Sequence, residues 1–217
     1  MNSRQTVVFA VSLLLISVAF ADNNQPVLLQ ADRFSHIQFR KIPPNQYRFH
    51  DQQLSIQVNH SASFMMQAFD EVKTVRRVSF RWRSHGRPGV KNMQQEARRD
   101  GDDALFKLGL LLRSDEALFN PLLPAWMKKV RSLLHYPSAN MINLVVGAKH
   151  PPGEQWPNPY NRRVTMISVP GIAGEDGWQQ ANYRFIEPRA VVAIWLMADG
   201  DNTGSVFGVD IRDIVLE

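Results

Sequence analysis

Short runs in which apolar and polar residues alternate dominate the first half of the chain. Ser35 to Ile42 and Tyr47 to His50 read as strands. In the next run Leu54, Ile56 and Val58 alternate with Ser55 and Gln57, the period of two of a half-buried strand. Asp51-Gln-Gln53 is the hairpin turn expected between the last two, and Ala62 to Phe69 is a strand with apolar residues on both faces. Thr74 to Arg87 separates its faces, because successive side chains of a strand point to opposite sides: Val78, Phe80 and Trp82 on one, Arg77, Arg81 and Arg83 on the other. The first set predicts a core face. The second predicts either a solvated outer surface or part of a basic groove for an anionic ligand.

Pro88 to Asp103 is polar, and Arg98-Arg-Asp-Gly-Asp-Asp103 reads as an exposed loop that turns at Asp100-Gly101. Leu105 to Leu112 is almost continuously apolar, as a central strand is. At Asn120-Pro121 the period changes. Asn suits an N-cap, Pro suits a first turn, and Leu123, Trp126, Val130, Leu133 and Leu134 recur at spacings of three and four, which predicts an amphipathic helix over 121–135. Lys128, Lys129 and Arg131 sit toward its C-terminal half, where cations suit the helix dipole, and Pro137 closes it. The helix is expected to pack across one edge of the sheet; its basic amphipathic character also suits a membrane surface or a protein partner. Strand-like runs follow at Met141 to Ala148, Val164 to Val169, Trp178 to Ile186, Ala190 to Met197 and Phe207 to Leu216. In the last, the apolar phase moves from odd positions (Phe207, Val209, Ile211) to even ones (Ile214, Leu216), which predicts a β-bulge near Arg212-Asp213. The sum is an all-β fold, a jelly-roll β-sandwich with one helix inserted near 121–135. It forms a single domain over 33–217 behind a flexible lead-in at 22–32.

The first 21 residues read as a signal peptide: Arg4, an apolar run from Val7 to Phe20, and Ala19-Phe20-Ala21 as the cleavage triplet. The run is shorter than the roughly 18 to 20 apolar residues that a spanning helix needs, and polar Asp22-Asn-Asn-Gln25 follows at once. The absence of cysteine leaves no lipidation site and no disulfide, so stability is expected from the core or from a bound ion. These features suit a periplasmic or secreted protein. The 25 Lys and Arg against 20 Asp and Glu make a mild basic excess that favours anionic partners such as acidic glycans or phospholipid surfaces. Export and the lack of any nucleic-acid module pattern exclude nucleic acid.

Candidate chemistry falls in two places. Asp199-Gly-Asp-Asn-Thr-Gly204 has carboxylates at alternate positions followed by glycine, and Asp210 stands where a twelfth ligand would, so Asp199, Asp201 and Asp210 are candidate calcium ligands and a structural calcium is the candidate cofactor. Thr203 at the fifth position and strand-like flanks exclude an EF-hand, and the same turn also reads as one held by its own Asx hydrogen bonds. Trp156-Pro-Asn-Pro-Tyr160 places two aromatics on a proline-stiffened loop, with Arg162 and Arg163 beyond and His150 before. Aromatic faces beside charged donors suit an acidic sugar, and loop aromatics also cover sheet edges. The candidate ligand-binding set is therefore Arg81, Arg83, Trp156, Tyr160 and Arg162. For catalysis, a hydrolase would draw on Asp102, Asp103, Asp199 and Asp201, and a lyase on Tyr160 or His150 with an arginine, but no catalytic motif is complete.

Phe80-Arg-Trp82, Gly101-Asp-Asp103, Pro157-Asn-Pro-Tyr160, Trp178 and Asp199-Gly-Asp-Asn-Thr-Gly204 occur in an order that resembles the exported bacterial domain-of-unknown-function family number 3047, over about Phe80 to Glu217. The resemblance implies an envelope location in Gram-negative bacteria and brings no activity. Where the family carries a Trp-Tyr-Gly-Asp run, this chain has Val206-Phe-Gly-Val-Asp210. The ending Val209-Asp-Ile-Arg-Asp-Ile-Val-Leu216 is similar to the closing strand of galactose-binding-like jelly rolls, which implies a carboxylate near a structural calcium. The expectation is a non-catalytic binding module for an envelope or extracellular glycan, acidic ones included. The alternatives are a polysaccharide lyase or glycosidase on the same scaffold, or a structural envelope protein that binds a protein partner through the helix Pro121 to His135.

Overall fold

The computed structural model describes residues 25–115 and 123–217; the leader read at 1–21 and the helix cap at Asn120-Pro121 lie outside the described residues. The strands are β1 (Gln25–Pro26), β2 (Ser35–Gln38), β3 (Gln46–His50), β4 (Gln53–Asn59), β5 (Ala62–His85), β6 (Ala104–Arg113), β7 (Ser138–Val146), β8 (Gln155–Pro157), β9 (Val164–Val169), β10 (Gly171–Ala173), β11 (Gln179–Asp199) and β12 (Val206–Leu216). Among the described residues two α-helices accompany them, α1 (Met93–Glu96) and α2 (Ala125–Leu133). The strands pair in the order β3-β4-β12-β5-β11-β6-β7-β9-β8, with β1 on β12, β10 on β11 and β2 on β5. Among these pairs β7 with β9 is parallel and the others are antiparallel.

Two strands are longer than any run the alternation suggests. β5 has 24 residues and β11 has 21, and their pairing slips between Arg184 and Arg189. On one side of the slip, residues 78–85 of β5 pair with β12; on the other, Ser63 to Met66 pair with β2 and residues 191–199 of β11 pair with β6. The two halves of each long strand thus serve two layers. Layer one is β3, β4, β12, the end of β5 and the start of β11; layer two is β2, the start of β5, the end of β11, β6, β7, β9 and β8. Leu54, Ile56 and Val58 of layer one share one buried cluster with Leu108, Leu110 and Leu144 of layer two. The rings of Phe80 and Phe106 meet across it with centroids 5.6 Å apart. This is an all-β, jelly-roll-like sandwich, the class that the pattern predicts.

Ala62 to Phe69 is apolar on both faces because both are covered. Met65 and Phe69 enter the core between the layers, whereas Phe64 and Met66 belong to a second cluster outside layer two, beneath α2. Trp126 sits edge-on to Phe39 and Phe64, and Val130 and Leu133 pack on the same cluster. The helix therefore lies over the outer face of layer two and not across a sheet edge, because that face carries apolar side chains that need a cover. Its apolar stripe is turned toward that cluster and is half-buried there, and Lys128 and Lys129 are exposed.

The lead-in at 22–32 is described from Gln25, and there it is held. β1 pairs with Val215 and Leu216, Leu29 is buried, and its N–H donates to Gln52 Oε1 at 3.0 Å. The hairpin at Asp51-Gln52 has positive φ at both residues (47° and 58°), the primed turn whose twist suits two paired strands. The expected bulge is present: the β12–β5 register shifts between Arg212 and Val215, and Asp213 has φ 54°.

Candidate functional site

β11 leaves layer two at Asp199, which pairs with Ala62 on one side and Ala104 on the other, and the turn 200–205 leads to β12. That end collects three segments far apart in sequence. Asp103 is almost fully buried, and among the described residues the four bonds it accepts come from this turn: Asn202 N–H and Nδ2 on Oδ1 (3.0 and 3.1 Å), Thr203 N–H and hydroxyl on Oδ2 (2.7 and 2.5 Å). From the third segment, Asn158 Nδ2 donates to Asp102 Oδ2 at 2.9 Å, while its own Oδ1 accepts the N–H groups of Tyr160 and Asn161 and so shapes that loop. Tyr160 closes the rim, its hydroxyl meeting Asn202 Oδ1 at 2.9 Å and the Arg99 carbonyl at 3.0 Å, under the Arg99 guanidinium.

Lys107 lies at the floor, a buried cation in a strand whose other residues are apolar as far as Leu112. Its Nζ donates to the Asp102 carbonyl at 2.7 Å and to Asp199 Oδ2 at 2.9 Å, and lies 3.4 Å from Asp102 Oδ1. Burial alone would lower its pKa, but the charges of Asp102, Asp199 and Asp103 outweigh burial and hold it protonated. Burial raises Asp102, against the pull of Lys107 and Asn158. It raises Asp199 well above the carboxylate range, and Asp102, Asp201 and Asp103 push it further while Lys107 opposes. One ammonium faces three carboxylates, and Asp201 adds a fourth beside Asp199.

The stretch Arg98 to Asp103, expected to be an exposed loop, is exposed only at its start: Gly101, Asp102 and Asp103 are buried. Lys107 and the 200–205 turn supply the donors that make this burial tolerable. A side chain at Gly101 would strike the Gln95 backbone, with Cβ 2.5 Å from the carbonyl oxygen, so α1 packs closely on the loop.

The sequence-predicted residues separate into several places. Asp199 and Asp201 lie together with Asp103, while Asp210 is on the outer face of layer one. There its carboxylate accepts from Ser55 Oγ (2.6 Å) and from Arg83 Nη2 (2.8 Å), with His85 Nε2 at 3.3 Å. Burial works against ionisation of Asp210, yet those hydrogen bonds prevail and its pKa is lowered. Arg81 is 3.9 Å from Asp213, and the guanidinium groups of Arg83 and Arg212 cover the ring of buried Trp178 at 4.8 and 4.0 Å. Trp156 belongs to β8 and is buried, stacked on His150 with centroids 3.9 Å apart and planes 7° apart. His150 Nδ1 in turn meets Glu96 Oε2 at 2.6 Å. That packing leaves neither Trp156 nor His150 open to a sugar, because both serve to pin α1 to layer two. Arg162 is exposed beside a groove lined by Leu112, Gln155, Tyr183 and Arg189. Tyr160 alone of the five ligand candidates stands at the acidic end.

Cross-strand pairing extends the arginine face beyond β5. Arg81 lies opposite Arg212 on one side and Gln180 on the other, Arg77 opposite Arg184, and Arg83 opposite Asp210, which is opposite Ser55 and then Arg48. Opposed residues share a face, so one polar, cationic surface crosses five strands. Arginines at 48, 184 and 212 were legible only as isolated charges.

Residues 32–215 match the model of the family described as "Protein of unknown function (DUF3047)". No curated protein matches the chain. Among solved structures the chain is similar to the xyloglucanase domain of NopAA, a type three effector from Sinorhizobium fredii, in complex with cellobiose. That likeness has 6% identity, covers 88% of this chain and 97% of that chain, and has a TM-score of 0.40. It transfers no function, and the fold described above rests on the chain's own topology. Among the described residues no helix is long and apolar enough to cross a membrane.

Proposed function

The chain belongs to the family "Protein of unknown function (DUF3047)", which brings no activity with it, and from the chain's own surfaces we propose an exported module that binds an acidic envelope or extracellular glycan without cleaving it. The observation that carries this reading is the strand register of layer one, which sets Arg77, Arg81, Arg184 and Arg212 on one outer face among Gln53 and Gln180. Guanidinium groups give paired, charge-assisted hydrogen bonds to carboxylates or sulfates, and neutral amides between them suit sugar hydroxyls. Arg83 and Arg212 also cover the Trp178 ring, and Arg83 is held by Asp210, so both stiffen the middle of the surface.

The test is retention of the full chain on acidic and neutral polysaccharides, with polymer length followed in the same run. Acidic polymers should be retained, less so as salt rises, and their length should not change. Arg81→Glu with Arg184→Glu should weaken retention about tenfold or more, since two attractive charges become repulsive. Undiminished retention by that variant removes the arginine face from the proposal. Shortening of the polymer would favour the second reading, cleavage, for which Asp102 and Asp199 are the buried carboxyls with raised pKa.

A further inference from the structure

Asp103, Asp199 and Asp201 each bring a carboxylate oxygen to one point at the end of layer two, and those oxygens all lie within 4.8 Å of one another. Asp103 and Asp199 are buried and Asp201 is half-buried, so the group has a closed floor and a side open to solvent. Carboxylates gathered in this way are common without an ion. A second observation separates this group from the common case: Asp199 is 4% exposed, and among the described residues its buried Oδ1 has no hydrogen-bond partner, while Oδ2 is taken by Lys107. A buried carboxylate oxygen without a donor is costly: the lysine is on the other oxygen, and from the turn Asp199 meets the Asp201 carboxyl, which offers a donor only when it carries a proton.

We propose that Asp103, Asp199 and Asp201 hold a divalent cation of the calcium class, with Asp199 and Asp201 as the principal ligands, since both oxygens of Asp103 also accept hydrogen bonds from Asn202 and Thr203. All three ligands are hard oxygens, and among the described residues no histidine joins them, which suits calcium or magnesium and not a softer metal. Calcium bonds of about 2.3–2.6 Å let two of its oxygen ligands stand up to about 5 Å apart, a range that contains this group, and calcium accepts the irregular geometry of a turn more readily than magnesium does. Asp201 faces the open side, so water can complete the coordination shell. Lys107 and Asp102 stand behind the site as positioning residues: the ammonium fixes the second oxygen of Asp199 and leaves Oδ1 for the ion. A dication also offsets most of the negative charge that a single lysine leaves uncompensated. The glycan reading does not enter this inference, since the arginine face lies on the other layer.

The experiment is calcium titration into the full chain after dialysis against a chelator, read by calorimetry and by thermal unfolding, with magnesium in parallel. Saturable heat with one ion per chain, and a Tm that rises with calcium concentration, is the expected result. Asp201→Asn, a change at the half-buried rim, should fold and bind calcium at least about tenfold more weakly, whereas Asp210→Asn should bind as the parent does. Absence of both heat and Tm shift at millimolar calcium overturns the proposal and leaves a proton shared between Asp199 and Asp201 as the occupant. Preference for magnesium, or undiminished binding by Asp201→Asn, overturns it as well.

Discussion

Asp210 and Asp199 are eleven positions apart, both follow apolar strand residues, and their surroundings drive them in opposite directions. Asp199 meets one cation and three other carboxylates; Asp210 meets Arg83, His85 and the Ser55 hydroxyl. The folded-state pKa of Asp210 is lowered. Its contribution to stability is therefore fully present above the unfolded value of about 3.9 and is lost as pH falls through the lowered folded value. Asp210→Asn should destabilise the protein by about 2 kcal/mol at neutral pH, the scale of lost charge-assisted hydrogen bonds. Its urea midpoint should also fall less steeply than the parent's below about pH 4, because the group whose protonation costs stability is gone. An unchanged midpoint at pH 7 would mean that the Arg83 pair is solvent-screened and idle. The sequence sets Asp199 at the start of a turn and Asp210 within a strand, but the opposite shifts come from which strands run beside each.

At the level of single elements the alternation of residue types was a good guide where a strand has one wet face, and a weaker one elsewhere. The bulge at the end of β12 was legible because a one-residue change of phase has one local remedy, an extra residue in the strand. Asp213 supplies it with φ 54°, a conformation that Asp tolerates and a β-branched residue does not. Asp213→Gly should thus stay within about 0.5 kcal/mol of the parent, while Asp213→Val should lose about 1–2 kcal/mol, both measured by urea denaturation. Equal stabilities would show that the bulge relaxes. α1 was not legible, since four residues carry no period, and β8 was hidden in a proline-rich stretch that reads as a loop. The placement of α2 over a face and not an edge follows from Phe64, Met66 and Leu111, whose outward apolar side chains demand a cover.

For the whole molecule, the sharing of β5 and β11 between layers ties the two halves of the sandwich together. Neither layer keeps its central pair if the other is lost. Ile56→Ala in layer one and Leu144→Ala in layer two, both at fully buried positions, should each cost about 2–5 kcal/mol and each lower a single transition seen alike by tryptophan fluorescence and far-ultraviolet circular dichroism. Separate transitions for the two variants would mean that the layers fold apart. The alternation of side chains was sufficient for the all-β class, the helix, the arginine face of β5 and the bulge, because each is set by neighbours within a few residues and by the fixed period of a strand or helix. It could not show that β5 and β11 pass through a corner, nor that Asp103, Asn158 and Asp199 meet, nor that Trp156 is buried on His150. Those depend on pairings between segments up to about a hundred residues apart, which a single chain's residue pattern does not encode: any apolar strand offers the same edge of N–H and C=O groups to any other. Folding alone selects the neighbours, and with them which carboxylates are left facing a single lysine.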